Sequence, residues 1–574
     1  MLKNLFNAAR LLKSPKSWKR IGRALQPKER IGAVILVIVI FISLIWLANQ
    51  AYVRATESRP ALGDTYVEGV MGSPRLLNPI LTTTDSDRDV SRLLFSTLLK
   101  YDYQGKLVGD LAENFSVSKD GKTYKITLRK NVFWHDGEPL TIDDVLFTIK
   151  AVANPDYASP LRATWQGVAV EASEENELTI KLKTPYANFI ENLVFLGILP
   201  RHIWTSIQPK NFALADFNLT PIGSGPYRFV KLQKDRLGRI VSLTLESNPT
   251  YFNNAPFINN LILKSYDSEE EAVSAFNRKE IDGILPATGQ NKNQLRGLAS
   301  SQVFSLASPR IYAIFFNTDD TILKDINVRI ALNYAVNREA LVSKVLNNEG
   351  KIALGPIPPG LLGSSPDITG YDYNPEKARE ILDKYGWTKD ENGMRAKKLG
   401  KDKNPTNLAI DILATPNTQL VATLIKDDLK NIGVGANLTI LGLGEIQQNY
   451  LKTRQYQAIL IGEAYTGTPD PYSFWHSLAR KDPGLNLSLY SNRKVDKLIE
   501  DARQSTDEVM RAAKYVEFQK LVIADAPAIF LYSPNYLYIV NRKVNGVAIK
   551  NLVMPSDRFS EINQWFISTQ RVWK

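Results

Sequence analysis

The chain has 574 residues, 44% hydrophobic and 23% charged, the balance of a globular protein of two or three domains rather than a disordered one. The net charge of +12 does not describe a nucleic-acid binder, because residues 1–30 carry nine basic side chains against the single acid Glu29 and leave only +4 for the rest. Without cysteine there is no disulfide, thiolate metal site, cysteine nucleophile or lipid-bearing cysteine, and His135, His202 and His476 fall in no metal-binding spacing.

In chain order, the basic tail 1–30 comes first. Apolar residues lie among its cations, a pattern that suits either an amphipathic helix along an inner leaflet or a solvated tail that sets topology. Ile31–Val53 carries no charge, and a bilayer core needs roughly 20 apolar residues as a helix. The basic excess on its N-terminal side predicts a cytoplasmic N-terminus and a single-pass anchor at 31–53, with everything after about residue 54 outside. A buried core helix and a cleaved signal peptide are the rivals. Residues 54–63 read as a short linker.

Strand and helix signals then intermingle. Tyr124, Ile126 and Leu128 alternate on one face, as do Leu178, Ile180 and Leu182, and Val241, Leu243 and Leu245. Helix starts are marked by Thr141 through Asp144, by Ser268 with Glu271, and by Asn374 with Pro375, whose helix ends at Gly386. Lys397–Asn404 reads as a solvated hairpin or loop. The mixture predicts an α/β or α+β architecture.

Catalytic signatures are missing: the sequence has no GxSxG elbow, no Walker loop and no GxGxxG after a strand. Gly223-Ser224-Gly225-Pro226-Tyr227 reads as a rigid turn, since Pro226 removes a backbone donor. Asp143/Asp144 and Asp427/Asp428 read as solvated helix faces. Nine Trp, 24 Tyr and 22 Phe suit a ligand pocket as well as large cores. No cofactor, no metal site and no catalytic residue is expected.

Several motifs in collinear order carry a family resemblance. They begin with Leu77-Asn78-Pro79 and Leu94-Phe95-Ser96-Thr97-Leu98. The run from Leu128 to Val145 (LRKNVFWHDGEPLTIDDV) follows, then Gly223–Tyr227, Asn248–Phe252 and Glu280-Ile281-Asp282. The last are Asn327–Arg338, Asn374–Ala378 with Gly386-Trp387, Pro469-Asp470-Pro471 with Phe474, and Pro527 before Ile529–Leu531. Together they resemble the family 5 extracellular solute-binding proteins, the oligopeptide and dipeptide receptors of ABC importers. The resemblance implies a periplasmic-binding-protein-like Venus flytrap. One large lobe would be built from 60–107, 219–310 and 528–574, a smaller lobe from 108–218, and the opposing large lobe from 311–527. The implied partners are a peptide or other small solute and a heterodimeric permease with ATPase subunits. The implied location is the cell membrane, with the large domain on the extracytoplasmic side. A ligand sensor or surface scaffold on the same fold is the alternative function.

Peptide-binding members of the family hold the ligand's amine with an aspartate four residues before the proline that matches Pro471. Here that position is Gly467, so oligosaccharides, modified peptides and metal chelates stay open beside peptides. Glu463 and Asp470 are the candidate replacements. Further ligand-binding candidates by position are Thr83, Thr84, Asp85, Tyr312, Asn317, Tyr465 and Thr466, with Trp475 as a ring that could stack on the ligand.

Overall fold

The computed structural model describes residues 26–174, 176–285, 294–296, 298–400 and 404–574. It forms two compact units, one of residues up to Ala61 with Ser568–Lys574, the other Leu62–Ile567. The basic tail up to residue 25 lies outside the described residues.

In the first unit the apolar segment is one helix, Pro27–Ala55. Its stretch Val34–Ala55 is long and apolar enough to cross a membrane, and none of it is buried. The segment read as a linker is instead a strand. Thr56–Pro60 pairs antiparallel with the C-terminal strand Thr569–Trp573. Arg571 donates through Nη2 to the carbonyl of Val53 at 2.8 Å and through Nε to Thr56 Oγ1 at 2.8 Å. Trp573 meets the Tyr52 ring edge to face. The local signals (Arg54, Ser58, Pro60) say linker because the hydrogen-bonding partner lies more than five hundred residues away in sequence.

The second unit is organised by a 12-stranded sheet. From one edge its strands run Gly435–Ile440, Ala409–Ala414, Ala458–Ala464, Arg310–Phe316, Ala528–Asn541, Gly283–Ile284, Gly63–Met71, Ile258–Tyr266, Ile240–Ser247 and Tyr227–Lys234. The 14-residue strand Ala528–Asn541 joins the two halves. Its first part pairs with Arg310–Phe316 and Gly350–Ile352, its second with Ser301–Ala307 and Gly283–Ile284. The chain therefore passes between the half-sheets twice, at Ser308-Pro309 and at Ser533-Pro534. The Ser308 hydroxyl donates to the Pro534 carbonyl at 2.7 Å and so fastens one crossing to the other.

Alternation places the cores. Ile311, Ala313 and Phe315 face one apolar cluster, and Ile314 and Phe316 face another, so this strand is buried on both sides and reads as an unbroken apolar run. A four-stranded antiparallel sheet, in the order Ala112–Val117, Thr123–Leu128, Glu177–Lys181, Ala169–Glu174, buries Tyr124, Ile126, Leu178 and Ile180 as their spacing predicts.

The helix starts fall where the cap residues put them. Thr141 and Asp144 form a capping box on Ile142–Ala153. Ser268 accepts from the Glu271 amide and Asn374 from the Lys377 amide. The carboxylate pairs differ from expectation, because one member of each is structural. Asp144 Oδ1 accepts from the Arg201 amide at 2.8 Å, and Asp428 Oδ2 accepts from the Asn337 amide at 2.9 Å. The glycine turn packs on the end of the helix Asp85–Leu94, where a Cβ on Gly223 or Gly225 would strike the Leu94 carbonyl. His135 braces this turn. Its Nδ1 accepts from the Gly223 amide, which leaves Nε2 to donate to the Gly225 carbonyl. Burial lowers its pKa to about 4. Lys397–Asn404 lies between Arg395–Lys397 and Thr406–Asn407, which pair antiparallel, but residues 401–403 are outside the described set.

Candidate functional site

A cavity of about 430 Å³ opens where the chain crosses between the half-sheets. That size falls within the usual range of small-molecule sites. Several segments wall it, Tyr536 and Val553–Ser556 among them. The helix Asp85–Leu94 contributes Asp85, Arg88 and Arg92, and the crossing at Ser308-Pro309 contributes Pro309 and Arg310. The end of the strand Ala458–Ala464 and the residues after it contribute Ala464, Tyr465 and Thr466. Trp165, Asn192 and Phe195 close the side nearest the four-stranded sheet. A smaller cavity of about 210 Å³ adjoins it, and the two share Asn192, Phe195, Ala464, Tyr465 and Thr466. Glu191 and Asp470 line this second part.

Of the residues singled out by sequence position, Asp85, Tyr465 and Thr466 lie on the first cavity and Asp470 on the second. Thr83 and Thr84 instead serve the start of the first helix. Thr84 Oγ1 accepts from the Asp87 amide, and both threonine amides donate to Asp87 Oδ2 at 3.0 Å. Tyr312 does not line either cavity; its ring stacks on Tyr532 at 5.1 Å. Asn317 is buried, donating to the Tyr456 carbonyl at 2.9 Å and accepting from the Asp319 amide. Trp475 is 0% exposed, in the core beside Phe315 and Phe530, so its ring has no free face for a ligand.

The two proposed substitutes for the missing aspartate are both occupied. Glu463 sits behind the wall, where its Oε1 accepts from the Tyr465 hydroxyl and from Trp475 Nε1. Burial raises its pKa to about 8, so it is largely neutral at pH 7. Asp470 is already paired: Oδ2 accepts from Arg503 Nε and from the Tyr186 hydroxyl, each at 3.1 Å.

Sequence reasoning missed Glu191. It ends the short 3-10 turn Ala187–Glu191, and its Oε1 accepts from the Thr468 amide at 2.5 Å. The same turn reaches the same segment through Asn188 Nδ2, which donates to the Thr468 carbonyl at 3.0 Å. Gly467 has φ +66°, in the left-handed region that glycine tolerates, and a Cβ there would lie 2.6 Å from both Glu191 carboxylate oxygens. The Glu191 carboxylate therefore fills the space in which a side chain at position 467 would stand. Burial raises its pKa to about 7, against the lowering effect of its bonds to Thr468. No periodicity marks Glu191, since its partner is 277 residues away. Arg310 was equally unmarked at the head of an apolar strand.

Comparison with known proteins places this geometry in a family. Residues 106–486 match the model of the bacterial extracellular solute-binding proteins, family 5 (middle region). The oligopeptide-binding protein AppA of Bacillus subtilis is 29% identical over 93% of this chain and 98% of its own length. The solved structure of that protein in complex with a nonapeptide superposes with a TM-score of 0.72 at 26% identity, covering 89% of this chain and all of the other. NikZ of Campylobacter jejuni, solved with Ni(L-His), gives 0.71 at 27% identity over 88% of this chain and 99% of its own. The mixed α/β fold is that of the periplasmic peptide-binding proteins. A family-model match across most of the chain, in the order in which its motifs occur, makes this chain a member of the family 5 bacterial extracellular solute-binding proteins.

Proposed function

We propose that the protein captures a peptide in the cleft at the crossing of the half-sheets and hands it to an ABC permease with its ATPase subunits, binding its ligand without chemical turnover. The observation that carries this reading is the cavity itself. Its walls come from both halves of the sheet, and among the described residues two chain crossings join those halves. Closure of two bodies about such crossings lets a ligand favour one state by its extra contacts there. The lobe division that fits is 60–107 with 219–310 and 528–574, against 311–527, with 108–218 as the smaller lobe. Support for a peptide comes from relatives named as oligopeptide- and dipeptide-binding proteins.

The helix Pro27–Ala55 serves in this reading as a retained membrane anchor, its basic end inside. A signal sequence would present the same helix. Edman sequencing of the mature protein separates the two: a start at or near Thr56 contradicts the anchor.

Thr466 faces both parts of the cavity and is exposed, so Thr466→Trp fills the space without disturbing a core. Calorimetry against a peptide panel should show binding by the wild type and at least a tenfold loss in this variant. Absence of binding by the wild type across the panel contradicts the proposal.

A further inference from the structure

The last four carbonyls of a helix have no partner within it, and hydrocarbon supplies none. The helix Pro27–Ala55 therefore needs donors at Tyr52–Ala55. Two of them come from the far end of the sequence. Arg571 Nη2 donates to the Val53 carbonyl at 2.8 Å, and the Lys574 amide donates to the Ala55 carbonyl at 3.0 Å. A third is local: Thr56 Oγ1 donates to the Tyr52 carbonyl at 2.6 Å. A guanidinium is also the favourable charge at this pole of a helix.

The strand Thr569–Trp573 brings a ring and charges to the same level. Trp573 is 70% exposed even though its ring lies 5.9 Å from that of Tyr52, itself 43% exposed. The Arg571 guanidinium lies 5.8 Å from the Tyr52 ring centre. Register sets Trp573 opposite Thr56 and Arg571 opposite Ser58, so both side chains leave one face of the two-stranded sheet. In residues 54–60 and 568–574 the one acid is Glu57, and Arg59 pairs with it. Arg54, Arg571 and Lys574 are exposed, with no carboxylate at ion-pair distance among the described residues.

The stretch Val34–Ala55 has 22 residues, about 33 Å of helix against a hydrocarbon core of about 30 Å. Once it spans a bilayer, Tyr52–Ala55 leave the core where phosphates and water begin. Tryptophan and tyrosine rings settle at that depth, and Arg and Lys reach lipid phosphates from it. Resting on the anchor reading above, we infer that the C-terminal strand is a second membrane contact. A phospholipid surface takes the Trp573 ring beside Tyr52 at the outer interface and sets its phosphates against Arg54, Arg571 and Lys574. The occupant is lipid rather than protein because this surface continues directly from a helix with none of its span buried. Ring and cations also match the two layers of the interface, apolar below and phosphate above.

The chain has no cysteine, so single-cysteine variants of the full chain each carry one fluorescent label. Ile42→Cys reports the middle of the helix and Trp573→Cys the strand. Both are reconstituted in nanodiscs of phosphatidylcholine and phosphatidylglycerol in equal parts, with acyl chains brominated either near the headgroup or near the methyl end. Shallow bromines should quench the label at 573 at least twofold more than deep ones, and the label at 42 should show the reverse. In unlabelled protein, Trp573→Phe keeps a ring against Tyr52 and should lower the share of tryptophan emission that shallow bromines quench. That measurement decides the matter if the cysteine variant does not fold, and an unchanged share overturns the inference. A label at 573 that neither lipid quenches, beside a label at 42 that deep bromines do quench, also overturns it and leaves the anchor standing. A label at 42 that no lipid quenches overturns the anchor reading and this inference with it.

Discussion

Glu463 shows how a single buried carboxyl sets the pH response. Its Oε1 takes both available donors, Tyr465 and Trp475, and Oε2 has no partner among the described residues. Burial moves the group from an ordinary 4.5 to about 8. Between those values the folded protein holds a proton that the unfolded chain has lost, so this group's contribution to stability falls as the pH rises through the window. Glu463→Gln keeps the acceptor and removes the titration. Thermal melts should show variant and wild type alike at pH 4.5, with the variant gaining steadily to pH 8, on the order of 3 kcal/mol at the top. An unchanged difference between pH 4.5 and 8 contradicts the assignment. Glu191, raised to about 7 by burial, follows the same sign in the empty protein, and an amine bound beside it would reverse the effect by holding it ionised.

At the scale of elements, the first cleft helix is held in place by the C-terminal turn Pro555–Phe559. Arg558 grips Asp89 with both terminal nitrogens at 2.8 and 2.7 Å and Glu68 with Nε at 2.8 Å, and Arg92 returns the contact to Asp557. Arg558, Asp89, Glu68 and Asp557 are buried, and Arg92 is half-buried at the cavity wall. Burial raises the Asp89 and Glu68 carboxyls while the guanidinium beside them pulls them down, so the network stands only as a whole. Arg558→Met leaves two buried carboxylates without a cation and should cost about 3–5 kcal/mol in urea unfolding. Adding Asp89→Asn and Glu68→Gln to it should recover part of that loss. Full stability in the single variant contradicts the network's role. The helix is also where sequence and structure part over the site. Thr83 and Thr84 look like ligand groups from their place after a family motif, yet a helix start needs its amides satisfied, and Asp87 with Thr84 does this.

Over the whole molecule, legibility followed range. The capped helices at Thr141, Ser268 and Asn374 and the alternating strands were readable because their signals lie within a few residues of one another. The family was readable because its motifs keep their order. Contacts between distant segments were not. Residues 54–63 read locally as a linker because the partner of the strand Thr56–Pro60 is at the C-terminus. Trp475 reads as a stacking ring because nothing in YSFWH shows that the core closes over it. Glu191 carries no local signal because the fold alone brings it to Gly467.

The central claim is that a solute sits in the cleft bounded by Arg310, Thr466 and Glu191. Native mass spectrometry of the full chain, incubated with a peptide digest and released from detergent, tests it most directly. The wild type should carry non-covalent mass in the range of a small peptide, and Thr466→Trp should carry none. Equal adducts on both proteins, or none on either, would contradict the account.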